Sequence, residues 1–253
     1  MSDELVAALE RQAAAWRSRP LVRRLYREWH ALIRDRLATV PGATVELGSG
    51  FGALRETIPG VILTDVEATP WADAVVDAED LRDGDGSVAN LILIDVFHHL
   101  ARPRRFLDEA QRVLAPGGRL LVLDPYCSPV STFAYSRFHR ERTDLHGPVL
   151  DDDLDVAGSP LDSNQARATL VFFRHLDLFR STWPGLRLIE RRRLALVAYP
   201  LSGGFEGRRL APDSAHAMLA AVERLARPLA PLLAFRCLVV VERSATSPDR
   251  TRA

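Results

Sequence analysis

The sequence predicts an α/β protein: a seven-stranded, mostly parallel β-sheet with one antiparallel strand and helices on both faces. Three observations lead to this fold class. Short aliphatic runs alternate with helix-like segments between residues 43 and 125, which is the pattern of parallel strands joined by crossover helices. Each run ends at Gly, Asp or Pro. Two longer strands near the C-terminus follow without a second alternating series, which favours an antiparallel addition to the same sheet.

The elements follow in a simple order along the chain. Residues 3–38 predict two amphipathic helices separated near Pro20, because Leu21, Leu25, Trp29 and Leu32 recur at helical spacing. The runs that predict strands are 43–47, 60–65, 88–96 and 119–125, and the segment 73–81 predicts a short strand with its loop. A helix is expected at 101–115, ended by Pro116-Gly117-Gly118. Further along, the patterns predict a helix at 166–185, a strand at 187–199, a helix at 212–233 with a break at Pro228, and a strand at 234–243.

We therefore expect a single domain spanning residues 1–253, a length that suits one sizeable hydrophobic core. Its expected parts are an N-terminal helical cap (1–38), a core (39–125), an insertion after the fifth strand (126–185), C-terminal strands and helix (186–243) and a disordered tail (244–253).

The bulk composition excludes several classes of protein. Formal net charge is zero, so neither nucleic acid nor acidic lipid is an expected general partner. The acidic N-terminus lacks the features of a signal peptide, and charges and prolines interrupt the apolar stretch 215–241, so we expect no membrane span and a cytoplasmic location. Two cysteines, Cys127 and Cys237, form no disulfide framework, and we predict no metal site.

A glycine-rich loop, Glu46-Leu-Gly48-Ser-Gly50-Phe-Gly52, follows the first strand. Glycines allow a tight turn and let a ligand approach the backbone closely. The loop also satisfies the dinucleotide fingerprint when it is extended to Ala53, and Asp65 stands where an NAD enzyme needs an acid. An NAD-binding oxidoreductase is therefore an alternative, and a non-catalytic cofactor-binding interaction module is another.

Three features favour a different cofactor. Glu46 stands two residues before the first glycine, where a carboxylate can attract the amino group of an amino-acid-like ligand. The polar stretch 77–81 suits an adenine edge. The paired C-terminal strands do not form a second mononucleotide-binding half. Separately from these three features, the chain contains no lysine, so the oxidoreductase alternative lacks a catalytic Tyr–Lys pair.

The ordered motifs VELGSGFG, TD, DAEDL, LIDVFHHL and RVLAPGGRLLVLDP resemble the class I S-adenosylmethionine-dependent methyltransferases, in particular the methyltransferase type 11 domains. The resemblance covers about residues 43–125. It implies a Rossmann-like fold, S-adenosyl-L-methionine as the cofactor, and a methyl transfer reaction.

The resemblance also assigns site residues. It implies that the loop binds the methionine part of the cofactor, with Glu46 near its amino end, and that Asp65 hydrogen-bonds the ribose hydroxyls. It also implies that Asp77 and the Ala78 amide read the adenine, and that the backbone at Asp95–Val96 faces the methionine amine. The predicted cofactor-binding residues are Glu46, Gly48, Ser49, Gly50, Gly52, Asp65, Val66, Asp77, Ala78, Asp95 and Val96.

Methyl transfer from a sulfonium requires alignment of the reactants and exclusion of water. A hydroxyl acceptor also needs a base, and His98 and His99 are the predicted catalytic residues because they follow the fourth strand. Helix capping or packing is the alternative for this pair. His139 and His146 are weaker candidates.

The acceptor is expected to be a small molecule, such as a glycan, lipid or natural-product intermediate. Asp124 either orients that acceptor or is a solvated strand end. The aromatic residues of the insertion line an acceptor pocket or form the insertion's own core; they are Tyr126, Phe133, Tyr135 and Phe138. The arginine run 191–193 is expected on an exposed sheet edge, and a homodimer is possible.

Overall fold

The computed structural model describes residues 3–138, 141–150, 163–205 and 207–245. Its centre is a seven-stranded sheet with the strand order β3-β2-β1-β4-β5-β7-β6. Strand β7 pairs antiparallel with both β5 and β6, while the other neighbouring strands pair in parallel. The predicted seven-stranded sheet with one antiparallel strand is confirmed. The strands are β1 (Ala43–Leu47), β2 (Ile62–Asp65), β3 (Ala74–Val75), β4 (Val88–Ile94), β5 (Leu114–Pro125), β6 (Leu186–Leu194) and β7 (Arg236–Arg243).

Helices cover both faces of the sheet. They are α1 (Asp3–Ser18), α2 (Pro20–Arg34), α3 (Pro103–Val113), α4 (Pro129–Phe138), α5 (Arg167–Thr169), α6 (Leu176–Thr182), α7 (Ala198–Ser202), α8 (His216–Leu225) and α9 (Ala230–Leu233). Short 3₁₀ turns at Ala53–Glu56 and Phe97–His99 follow β1 and β4. Among the described helices, none combines the length and the apolar character needed to cross a membrane.

The sheet separates two hydrophobic cores. In β4, Leu91 and Leu93 belong to the core that contains α3 and α6, while Ile92 between them belongs to the core that contains α2. Successive side chains of a strand point to opposite faces, so a strand covered on both sides must be aliphatic at nearly every position. This is why the central strands stand out in the sequence.

Several predicted elements have different bounds in the structure. Strand β5 begins at Leu114 and contains Pro116-Gly117-Gly118, which were expected to end the preceding helix. The predicted strand 187–199 ends at Leu194, because Ala195 adopts a left-handed φ of 61° that cannot continue a strand. The predicted helix 166–185 is divided into α5, a π-helical turn at Leu170–Arg174 and α6, with non-helical backbone at His175. The acidic run 151–153 and most of the predicted tail lie outside the described residues.

The cap helices α1 and α2 lie over the carboxyl ends of the central strands. A Cβ built on Gly50 would lie 3.5 Å from the Leu9 side chain of α1. On α2, the Tyr26 hydroxyl donates a hydrogen bond of 2.8 Å to Asp95, which directly follows β4. The N-terminal helices therefore cover the same sheet edge that carries the glycine loop.

Candidate functional site

The glycine loop turns sharply at the end of β1. Gly48, Gly50 and Gly52 have φ angles of 67°, 53° and 74°, which side-chain-bearing residues rarely adopt. A Cβ on Gly48 would lie 2.5 Å from a γ-methyl of Val96. The loop therefore packs directly against the exit of β4, and the predicted positions at the ends of β1 and β4 come together.

Asp65 holds this loop from the end of β2. Its carboxylate accepts hydrogen bonds from the amide of Gly50 at 3.2 Å and from the amide of Val66 at 2.9 Å. Burial raises the pKa of Asp65 above its ordinary value, although these backbone hydrogen bonds oppose the shift. Val66 beside it is 63% exposed and presents an apolar surface next to a carboxylate.

Glu46 is a buried acid under the loop. Its side chain is 4% exposed, and Oε2 has no hydrogen-bond partner among the described residues. Burial, and then the charge of Asp65, raises the pKa of Glu46 well above its usual range. The Ser49 hydroxyl is likewise buried without a partner. Buried polar atoms are normally paired, so the base of the loop offers unused hydrogen-bonding capacity for a polar ligand.

Asp77 and Ala78 follow β3, the outermost strand on this side of the sheet. Strand β3 lies next to β2, with Val75 opposite Asp65. Asp77 is exposed, and its carboxylate accepts a hydrogen bond of 2.8 Å from the amide of Glu79. The exits of β2 and β3 therefore present the polar groups of Asp77 and Asp65 along the same edge.

Asp95 adopts a left-handed φ of 57° at the end of β4. Its carboxylate accepts the hydrogen bond from Tyr26 and forms an ion pair with Arg236, the first residue of β7. Arg236 also donates a hydrogen bond of 2.7 Å to the hydroxyl of Tyr199. The side chain of Asp95 thus joins the cap to the sheet, and its backbone amide donates a hydrogen bond of 2.8 Å to the carbonyl of Leu123.

The two predicted catalytic histidines occupy different environments. His98 is 3% exposed, and its Nδ1 lies 2.9 Å from Asp124 while its Nε2 lies 3.3 Å from Glu141. Burial opposes the charged ring, but Asp124 and Glu141 outweigh it and raise the pKa of His98 to about 9. His99 is exposed, and its ring lies 4.0 Å from the His98 ring, centroid to centroid.

Glu141 is a site residue that the sequence did not predict. It lies in the insertion, where it accepts hydrogen bonds from Ser163 at 2.8 Å and from Gln165. Burial opposes ionisation of Glu141, but the charge of His98 and its hydrogen bond lower the pKa below the ordinary value. No local motif marks Glu141, so only the folded insertion brings it to His98.

Other candidate residues are not gathered into one pocket. Tyr126 and Tyr135 are buried, whereas Phe133 and Phe138 are 68% and 81% exposed. Asp124 is not the solvated strand end that was one of its two predicted alternatives. It is 0% exposed and forms a hydrogen bond with His98. His146 is exposed. His139 lies outside the described residues.

The arginine run lies on β6, which is the edge strand of the sheet, as predicted. Arg191 and Arg193 both stack on Phe173, at 5.3 Å and 5.0 Å from the ring centroid. Burial, and then the like charges of Arg227 and Arg36, lower the pKa of the intervening Arg192 from its ordinary value. Alternation along the strand thus divides the run between two faces, so it forms no single basic patch.

Comparison with known proteins agrees with this geometry. Residues 45–122 match the family model described as a methyltransferase domain. None of the curated protein sequences matches the chain. The matched segment begins within β1, contains the glycine loop and both histidines, and ends within β5.

Solved structures share the fold at low sequence identity. A methyltransferase in complex with the Haloferax volcanii Trm112 methyltransferase activator is 19% identical, with a TM-score of 0.52 over 97% of this chain and 100% of that chain. A geranyl diphosphate C-methyltransferase from Streptomyces coelicolor A3(2) is 12% identical, with a TM-score of 0.52 over 85% and 75% of the two chains.

Residues 45–122 therefore match a methyltransferase domain model, and the whole sheet has a Rossmann-like fold that it shares with these solved structures. The strand order ends in β5-β7-β6 with β7 antiparallel, whereas a doubly wound dinucleotide-binding sheet continues in parallel. The alternative of an NAD-binding oxidoreductase is therefore not supported.

Proposed function

We propose that this protein transfers the methyl group of S-adenosyl-L-methionine to a small-molecule acceptor, because residues 45–122 match a methyltransferase domain model. The observation that carries the proposal is the convergence of the glycine loop, Asp65, Asp77 and the Asp95–Val96 backbone at one sheet edge.

The proposed cofactor contacts follow from the charges along this edge. The backbone of Gly48 to Gly52, with Ser49, holds the methionine part, and Glu46 lies beneath it as the counterpart of the cationic amine. Asp65 accepts hydrogen bonds from the ribose hydroxyls, and the exposed apolar Val66 packs against the adenine. Asp77 and the Ala78 amide bind the adenine edge.

The reaction is a direct displacement at the cofactor's methyl carbon, with the thioether as the leaving group. The chain's own contribution is to align the acceptor and to exclude water, which the cap helices favour by covering the loop. For a hydroxyl acceptor, we propose that His99 takes the proton, because its side chain is exposed. His98 positions it, since its two ring nitrogens already face Asp124 and Glu141.

The acceptor is proposed to be a glycan, a lipid or a natural-product intermediate. A nucleic-acid acceptor is disfavoured because the net charge is zero and the arginine run does not form one basic patch. We also propose a cytoplasmic location. We further propose a homodimer, and light scattering on the purified protein would test this oligomeric state.

Calorimetric titration tests the cofactor assignment. S-adenosylmethionine, S-adenosylhomocysteine and NAD are titrated separately into the full chain. We expect saturable binding of both sulfur compounds and none of NAD. In the variant Glu46→Gln, the affinity for S-adenosylmethionine should fall, because the amine loses its carboxylate partner.

The control for this titration is Glu10→Gln, which removes an exposed carboxylate on α1. It should bind both sulfur compounds as the wild type does. Binding of NAD alone would overturn the proposed cofactor. Equal affinities of the wild type and Glu46→Gln would remove Glu46 from the site while leaving the cofactor class in place.

A further inference from the structure

A cluster at the end of β4 consists of His98, His99 and Glu141. It lies beyond the sheet edge that we propose binds the cofactor. One potential ligand atom from each residue lies within 4.8 Å of those of the other two. The distance from His98 Nε2 to Glu141 Oε2 is 3.3 Å, and the two imidazole rings are 4.0 Å apart. Two imidazole nitrogens and one carboxylate oxygen thus converge on a small volume at the end of β4.

The surrounding residues hold two of these groups in place. Asp124 lies 2.9 Å from Nδ1 of His98, which fixes the ring so that Nε2 faces Glu141. The side chains of Ser163 and Gln165 donate hydrogen bonds to Oε2 of Glu141. A carboxylate behind a histidine and hydrogen bonds to a ligating carboxylate are the outer contacts that orient metal ligands in proteins.

The charges of the cluster also suit a cation. Asp124 is completely buried, and its Oδ2 has no hydrogen-bond partner among the described residues. Glu141 adds a second carboxylate within contact distance of the same imidazole. Buried carboxylates need paired positive charge, and one divalent ion near His98 would balance both.

We propose that His98, His99 and Glu141 bind one divalent transition-metal ion, with Asp124 as the residue that positions His98. Two histidines and one glutamate form a ligand set that zinc uses in sites with an open position. The site deepens the proposed function, because the ion would lie at the end of β4 and bind an acceptor oxygen. The ion would then lower the pKa of an acceptor hydroxyl, and the hydroxyl proton would pass to water. This route would replace the proton transfer to His99.

Metal titration of the full chain after chelator treatment tests the site. The probes are Zn²⁺ alone, followed by calorimetry, and Co²⁺ alone, followed by visible absorption. We expect one equivalent of each ion to bind. His99→Ala and Glu141→Gln should each weaken binding at least about tenfold, the size of effect that even outer metal contacts produce. The matched control His175→Ala removes an exposed histidine outside the cluster and should bind as the wild type does.

Two further readouts separate the possible failures. His99 is exposed, so His99→Ala should keep the wild-type melting temperature, and loss of metal binding there reports on ligation. S-adenosylhomocysteine is titrated in parallel, and its binding should be unaffected by both cluster variants. Absence of Zn²⁺ and Co²⁺ binding in the wild type, or equal binding in the wild type and both cluster variants, overturns the metal site and leaves the methyltransferase proposal standing.

Discussion

At the scale of single residues, the carboxylate of Asp65 has two tasks. It accepts hydrogen bonds from the amides of Gly50 and Val66, and it faces the edge where we place the cofactor ribose. The first task shapes the glycine loop, and the second would bind the ligand. A substitution at this position therefore reports on both.

We expect Asp65→Ala to weaken S-adenosylmethionine binding by about 1.5–3 kcal/mol, the value of hydrogen bonds to a charged group. Calorimetric titration measures the loss. Asp35→Ala, which removes an exposed carboxylate at the end of α2, is the control and should leave affinity unchanged. An unaltered affinity in Asp65→Ala would withdraw the ribose contact.

Gly48 allows a second test at this scale. Gly48→Ala introduces a methyl group 2.5 Å from a stiff, branched Val96 side chain and a side chain at a φ of 67°. We expect a loss of about 1–2 kcal/mol of stability from the backbone conformation alone, together with weaker cofactor binding. Gly60→Ala is the matched control, since nothing lies within 4 Å of its Cβ position. Equal melting temperatures for the two variants would contradict the proposed strain.

At the scale of elements, helix α2 holds a buried histidine. His30 is 2% exposed, stacks on Trp16 of α1 at 6.1 Å, and has no hydrogen-bond partner for Nδ1 among the described residues. Burial lowers the pKa of His30 from 6.5 to about 4, despite an opposing influence of Asp95. The ring is therefore neutral in the folded protein and readily protonated in the unfolded chain.

This difference predicts acid sensitivity of the cap. The folded pKa is depressed, so the full stability is present above pH 6.5 and falls as the pH decreases from 6.5 towards 4, by an amount on the order of 3 kcal/mol. His30→Phe keeps an aromatic ring and removes the titration. Urea denaturation at several pH values should show a flatter profile for this variant. Identical slopes for the variant and the wild type would contradict the assignment.

At the scale of the whole molecule, the ion pair of Asp95 and Arg236 joins the end of β4 to the start of β7. Tyr26 of α2 and Tyr199 of α7 complete this network, so it also connects the cap to the sheet. The two strands are far apart in sequence, and β5 lies between them. The network therefore connects the N-terminal helix α2 with the C-terminal strand β7 beside the candidate site.

We expect Arg236→Met to destabilise the protein by about 2–3 kcal/mol, somewhat less than a fully buried pair because the Asp95 side chain is 28% exposed. Denaturant unfolding measures the effect. The double variant Asp95→Asn/Arg236→Met should be more stable than Arg236→Met, because the unpaired carboxylate is then absent. Additive losses in the double variant would show that the two residues act independently.

The features that depend on local pattern could be predicted from the order of the amino acids. Strands buried on both faces are aliphatic at nearly every position, as in 88–94, and left-handed backbone in a turn favours glycine, as at Gly48 and Gly50. The carboxyl ends of parallel strands share one sheet edge, so Asp65 and Asp95 could be assigned to a common site. The two amphipathic cap helices followed from spacing alone.

Contacts between segments that are distant in the chain could not be predicted in this way, because they depend on how the chain folds. Nothing near His98 in the sequence indicates that Asp124 and Glu141 lie on either side of its ring, because a strand end and the insertion supply them separately. The end of β6 at Leu194 could not be predicted either, because Ala195 carries no turn signal. In the structure Ala195 has a φ of 61°, and its carbonyl accepts a hydrogen bond of 3.2 Å from the amide of Phe235. The type of side chain determines local backbone geometry. The burial, the pKa and the hydrogen-bond partners of a residue depend instead on which other residues the fold places around it.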